Sequence, residues 1–264
     1  MIYRMDDLPE NKINLITGKE YDSSWMIFTL TCSVDNRIFT GAGSEGAYFI
    51  RLSRLLNDDW QLAVGDFIGY CEANGLNGLL VMSENDYDNV KKQYIGHSYN
   101  EPRLRESELP ILVHSTTAEN WSSIQRDGML KSWNRLKSDN TISENCPVGL
   151  QLGDLAEFSN YIMFGTGVSG EIVVSSKLSG FINMNENAKY HTGARLYFDA
   201  GRMARDGLLV RDGAHIKVKD TLPLEPYLIW VATWDKLGLE SPVSTPKEFA
   251  EAADRKFQFM QQFR

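Results

Sequence analysis

After Pro110 the chain becomes a succession of short apolar runs separated by Gly and Asp-Gly turns. Tyr161–Phe164, Glu171–Ser175, Ala194–Asp199, Gly207–Val210, His215–Val218 and Leu228–Thr233 each have strand length. Strands this closely spaced leave little room for crossover helices, which argues against a parallel βαβ sheet. The pattern predicts an α+β domain of short strands with few helices. Two helices are signalled within it. Ile111–Val113 reads as a strand, after which Thr116, Glu119, Trp121, Ile124 and Gly128 give a capping box, an apolar stripe and a stop. The last helix starts at Thr245-Pro246-Lys247-Glu248, where cap, first-turn proline and box glutamate coincide.

The first hundred residues read as a small mixed α/β region. Met26–Ser33 and Arg37–Thr40 predict strands around a Val34-Asp35-Asn36 turn. Ala47–Leu56 has helical spacing at Phe49, Leu52, Leu55 and Leu56, and Trp60–Asn74 has it at Leu62, Phe67 and Cys71. Leu79–Met82 is a short strand of buried type. The polar, charged, Pro-bounded stretch Tyr99–Pro110 is the expected linker. The division expected is therefore 1–108 and 109–264.

With 27 basic and 35 acidic side chains the formal net charge is −8, which weighs against a non-specific nucleic-acid binder. Cys32, Cys71 and Cys146 form no CxxC pair, so inert thiols are expected rather than a disulfide framework or zinc site. The N-terminus carries acids where a secretory leader needs an apolar run, and no apolar run is long enough to cross a bilayer. A soluble, cytoplasmic protein with no membrane partner is expected.

Two constellations could carry chemistry. His114-Ser115-Thr116, at a strand end entering a helix, places an imidazole and backbone N–H groups at one mouth. Alone, these residues also fit a turn histidine and a capping threonine. Gly41-Ala42-Gly43-Ser44-Glu45-Gly46 fits GxGxxG, with Asp66 about twenty residues on. No βαβ continuation follows it, so a Gly-rich loop between a strand and a helix is the reading preferred.

Val113-His114-Ser115-Thr116 through Ile124 and Asp127-Gly128 resembles the first motif of the diphtheria-toxin-like ADP-ribosyltransferase superfamily, with Ser115 where Gly is more usual. Asp199-Ala200-Gly201-Arg202-Met203, Asp206-Gly207, Asp212-Gly213, Leu222-Pro223 and Tyr227-Leu228 resemble the C-terminal run of the tRNA 2′-phosphotransferase family. Lys92 to Gly96-His97-Ser98 resembles that family's Arg-Ala-x-x-Gly-His-Ser stretch. The departures are specific. The family's Arg-His pair has no counterpart near Arg51 and Arg54, Tyr161–Phe164 replaces its Val-His-Leu-Ser strand, and Ser132–Asn160 is an insertion.

The resemblance implies an ADP-ribosyltransferase-like catalytic domain over 109–264, preceded by a region that binds the acceptor or acts as a lid. It implies an NAD⁺-dependent transferase that moves a 2′-phosphate from RNA to NAD⁺ and releases nicotinamide. His114, Ser115, Thr116, Tyr161 and His191 would seat NAD⁺. Lys92, His97, Lys189 and Arg195 would form the catalytic set around acceptor and phosphates, with no metal. Glu171, read as an exposed strand end, is a secondary candidate for activating the acceptor. ADP-ribosylation of a protein, nucleic acid or small molecule is the alternative enzyme reading. A non-catalytic nucleotide- or partner-binding domain is the alternative outside catalysis.

Overall fold

The computed structural model describes residues 1–8, 13–42, 46–142, 148–151, 153–165 and 167–262. The chain begins with β1 (Ile2–Met5), β2 (Trp25–Thr31), β3 (Ile38–Ala42), β4 (Tyr48–Ser53), α1 (Trp60–Ala73), β5 (Asn77–Val81) and α2 (Glu84–Gln93). It continues through β6 (Ile111–Thr116), α3 (Ala118–Asp127), β7 (Met129–Lys131), α4 (Trp133–Ser138), α5 (Val148–Gln151), a 3-10 turn (Ala156–Asn160), β8 (Tyr161–Met163) and α6 (Ser169–Ser179). It ends with β9 (Tyr190–His191), β10 (Ala194–Asp199), α7 (Ala200–Arg205), β11 (Leu209–Arg211), β12 (Ile216–Lys219), β13 (Thr221–Pro223), β14 (Leu228–Thr233), β15 (Val243–Ser244) and α8 (Pro246–Gln261). Short strands and α-helices are mixed, as α+β in the general sense requires.

Two compact units divide these elements. Unit 1 comprises Met1–Glu101, Leu152–Ser159 and Leu209–Lys217, and unit 2 comprises Pro102–Gln151, Asn160–Leu208 and Val218–Arg264.

Unit 1 holds a five-stranded sheet in the order β1-β5-β2-β4-β3, parallel except for the antiparallel edge strand β3. Here Ala47–Leu56 departs from its helical spacing. Its centre is strand β4, in which every residue but Arg51 is buried. Leu55 and Leu56, which completed the apparent helical stripe, are exposed. A parallel strand covered on both faces reads as a continuous apolar run, from which a period of three or four can be picked by chance. β4 also separates β2 from β3, so those two strands do not pair as a hairpin across the Val34-Asp35-Asn36 turn. The glycine-rich segment therefore leads from β3 into a strand rather than a helix; Gly43, Ser44 and Glu45 lie outside the described residues. α1 lies where its spacing put it and buries Phe67, Tyr70 and Cys71. Burial pushes the Cys71 thiol up to about 12, which keeps it inert. Cys32 is exposed, and Cys146 lies outside the described residues.

Unit 2 is built on the antiparallel sheet β14-β10-β6, with β10 central and its residues Ala194 to Phe198 all buried. α8 covers one face: Phe257 stacks on Tyr197 at 4.3 Å between ring centres, with Trp230 beside it. The capping box of α8 forms between Thr245 and Glu248. α3 ends at Gly128 in the left-handed conformation, but its cap is Thr117, whose hydroxyl accepts from the Asn120 N–H at 3.1 Å. Thr116 is still paired with Ala194 in the sheet, so the cap shifts by one residue. Glu171–Ser175 is not a strand. It lies within helix α6, because the β-branched run Ile172-Val173-Val174 is overridden by packing, with Glu171, Ile172 and Val174 all buried. Among the described residues no helix is long and apolar enough to cross a membrane.

Candidate functional site

β6 carries His114, Ser115 and Thr116 to its C-terminal end, where Ser115 pairs with Arg195 and Thr116 with Ala194 of β10. The His114 ring Nδ1 lies 3.0 Å from the Met163 carbonyl oxygen. A carbonyl only accepts, so Nδ1 carries the proton, and in the neutral imidazole Nε2 is left as an acceptor. Burial holds the His114 pKa below its ordinary value, against the smaller pull of the Met163 contact, and so favours that neutral form.

Ser115 commits its proton as well. Its hydroxyl donates to Glu171 Oε1 at 2.6 Å, and the Tyr190 hydroxyl donates to Glu171 Oε2 at 3.0 Å. Arg195 Nη1 lies 3.1 Å from the same Oε1. The guanidinium also grips Asp254 of α8 in bidentate fashion, Nε to Oδ1 and Nη2 to Oδ2, each at 3.0 Å. Tyr197 closes the network by donating to Asp254 Oδ1 at 2.7 Å. Glu171 is fully buried; burial pushes its carboxyl up while Arg195, Ser115 and Tyr190 pull it back. What results is a rigid chain of charge-assisted bonds behind Ser115.

In front of it lies a cavity of about 400 Å³, within the usual size of a small-molecule site. His114, Ser115, Thr116 and Tyr161 all line it, with Trp133 and Lys177 among the other walls. Four of the five residues expected to seat a cofactor thus share one cavity. The fifth, His191, is exposed and lines a neighbouring hollow.

Of the expected catalytic set, Lys189 and Arg195 belong to unit 2 and Lys92 and His97 to unit 1. Arg195 is 2% exposed, and its guanidinium holds two carboxylates rather than facing solvent as a free phosphate ligand. Lys189 is exposed in the segment leading into β9. Lys92 is exposed in the last turn of α2, and His97 Nδ1 lies 3.1 Å from Glu101 Oε1; both belong to unit 1. Two residues of the network go beyond the sequence expectation: Glu171, expected at an exposed strand end, and Asp254, for which no role is expected. The available signal was Arg195 itself. An arginine between Ala194 and Leu196 in a buried strand needs a carboxylate partner.

Among the described residues no group of three or more His, Cys, Asp or Glu is arranged to hold a metal. Comparison with family models, with curated proteins and with solved structures found no match.

Proposed function

We propose that unit 2 is an NAD⁺-using transferase domain whose cofactor seat is the cavity behind α3. The observation that carries this reading is the paired set of acceptors at the end of β6. The Nδ1–H of His114 and the O–H of Ser115 are both directed into the protein, onto Met163 and Glu171. What these side chains offer a ligand is lone pairs, and a ribose diol or a carboxamide NH₂ supplies the matching donors. The residues present therefore fit the nicotinamide riboside part of NAD⁺.

When bound, NAD⁺ would supply a ribosyl carbon activated by a good leaving group. The chain's own contribution is orientation. His114 and Ser115 hold the sugar, Glu171 fixes Ser115, and Arg195 with Asp254 fixes Glu171. Tyr161 and Trp133 add aromatic walls to the cavity.

In the favoured form of the proposal the acceptor is the 2′-phosphate of an RNA, as the resemblance of the Lys92–Ser98, His114 and Asp199–Leu228 segments implies. ADP-ribosylation of another acceptor is the second reading. It is favoured by the commitment of Arg195 to Glu171 and Asp254, which removes one cation from phosphate binding.

The test is incubation of the full chain with NAD⁺, with and without a 2′-phosphorylated RNA, following nicotinamide. Release that depends on the RNA, accompanied by loss of its phosphate, supports the first reading. Label transferred from NAD⁺ to protein or nucleic acid supports the second. Absence of NAD⁺ binding by calorimetry, with no change in His114→Ala, removes both.

A further inference from the structure

β3 is the last strand on one side of the unit 1 sheet, next to β4. None of its five residues is buried. The Ser53 N–H donates to the Arg37 carbonyl at 3.0 Å, which makes Arg37–Ser53, Phe39–Arg51 and Gly41–Phe49 the bonded pairs of the β3–β4 ladder. The N–H and C=O groups of Ile38, Thr40 and Ala42 therefore point away from β4, along the open edge. Sheet edges are ordinarily blunted by lysine, proline or an inward charge, and Ile38-Phe39-Thr40-Gly41-Ala42 contains none of these.

The surroundings of this edge are apolar. Val34 is 70% exposed and Phe39 and Leu55 are 57% exposed, with Ile38 and Leu56 exposed as well. Hydrogen bonds hold the turn before β3 against the segment after β4: Arg37 Nε donates to Asn57 Oδ1 at 2.7 Å, and Asn57 Nδ2 donates to the Arg37 carbonyl at 3.0 Å. Val34, Leu55 and Leu56 thus extend the apolar surface past the Ile38 end of the strand. At about 150–200 Å² for a bare side chain of this size, the five expose about 450 Å² per chain. Placed on both sides of a two-fold axis, with the strand edge added, this reaches the ~1,000 Å² of the smallest specific interfaces.

We infer that the β3 edge is the docking surface for a second copy of this chain, whose own β3 pairs with it antiparallel about a two-fold axis through Thr40. Ile38, Thr40 and Ala42 then exchange main-chain hydrogen bonds with their counterparts, and the two sheets become one. The strand is complementary to itself in this register, which favours a second copy over a foreign strand. Thr40 faces Thr40, Ile38 meets Ala42 and Phe39 meets Gly41, so each large side chain lies against a small one. Gly41 leaves the room that Phe39 of the other copy requires, because a Cβ there would meet no atom of its own chain within 4 Å. None of this depends on the nucleotide reading of unit 2.

Sedimentation velocity of the full chain between about 1 and 200 μM, the range in which so small an interface dissociates, tests this. Hydrogen exchange at the same concentrations locates the contact. A reversible monomer–dimer equilibrium is expected, with slower exchange at the Ile38, Thr40 and Ala42 amides as the dimer fills. Thr40→Pro removes an outward N–H that the β3–β4 ladder does not use, and Phe39→Lys places a charge on the seam. Each is expected to weaken the dimer by about tenfold or more, with the melting temperature of the dilute protein close to that of the parent. Should Thr40→Pro fail to fold, the exposed Phe39→Lys and exchange at the three amides decide alone. A chain that stays monomeric at the highest concentration overturns the proposal and leaves the edge to a strand of another protein. A dimer that keeps its affinity in Phe39→Lys, or whose three amides exchange at the monomer's rate, overturns it too, since the contact then lies elsewhere.

Discussion

Glu171 shows how much of this protein rests on single side chains. Its carboxylate has no contact with solvent and receives bonds from Ser115, Tyr190 and Arg195. Replacing it by alanine leaves the Arg195 guanidinium buried with only Asp254 opposite. Because breaking a buried pair leaves an uncompensated charge, Glu171→Ala is expected to lower stability by about 3–5 kcal/mol in urea unfolding. Glu171→Gln keeps an acceptor for Ser115 and is expected to cost clearly less. His114 makes a different prediction, through pH. Its folded pKa lies below the ordinary histidine value, so its contribution to stability is present above about pH 6.5 and is lost as pH falls toward the folded value. Protonation in that lower range would also turn Nε2 from acceptor to donor. NAD⁺ binding is accordingly expected to weaken only on acidification beyond the ordinary histidine range, toward the lowered folded value, and a pH-independent affinity in His114→Ala would identify the group.

At the scale of elements, close approach decides where side chains are tolerated. Gly193 separates β9 from β10, and a Cβ there would stand 1.7 Å from the Thr116 carbonyl oxygen, a backbone atom that cannot turn aside. Gly193→Ala is expected to cost about 3 kcal/mol, the upper part of the overpacking range, and to disturb the end of β6. A Cβ at Gly170 in α6 would meet the Ser115 hydroxyl at 2.7 Å and the Ser115 Cβ at 3.0 Å. The hydroxyl can rotate away but the Cβ is fixed to β6, so Gly170→Ala is expected to lower the melting temperature by less than Gly193→Ala does, while it breaks the Ser115–Glu171 bond and weakens the cavity's ligand. How far the elements were legible follows the same distinction between local and tertiary causes. The capping box at Thr245, the Gly128 stop and β10 are written locally, and each stands within one or two residues of its expected place. α6 and β4 are set by what covers them. Glu-Ile-Val-Val-Ser favours a strand on intrinsic preference, whereas burial of Glu171 beside Arg195 requires the turn of a helix. The candidate site divided likewise. His114 to Thr116 could be found from a strand-to-helix junction, but Asp254 lies 59 positions from Arg195, and no spacing rule links them.

At the scale of the whole molecule, unit 1 is discontinuous, and its late segments must be held to a sheet made by the first hundred residues. An ion pair buried among aromatic rings does this. Asp212 and Lys217 bond to one another with neither exposed. The Lys217 ammonium lies 3.9 Å from the ring centre of Tyr70 on α1 and 3.8 Å from that of Phe158 in the other returning segment. Asp212 also accepts from the Ala214 and His215 N–H groups, at 3.0 and 2.8 Å. Burial alone would raise the Asp212 carboxyl, but Lys217 and His215 outweigh it and hold it far below the usual carboxylate range. This stabilisation is present above about pH 4, the ordinary aspartate value, and is lost as pH falls below it toward the folded value. Lys217→Met would leave Asp212 buried opposite His215 alone, and is expected to cost about 3–5 kcal/mol. The double substitution Asp212→Asn with Lys217→Met removes the stranded charge and should recover part of that loss. Because the two units need not unfold together, the measurement is hydrogen exchange at the amides of α1 and β4 rather than one global transition. Faster exchange there in Lys217→Met, with β10 unaffected, would locate the staple in unit 1; equal acceleration in both places would show that the pair stabilises the chain as one cooperative body.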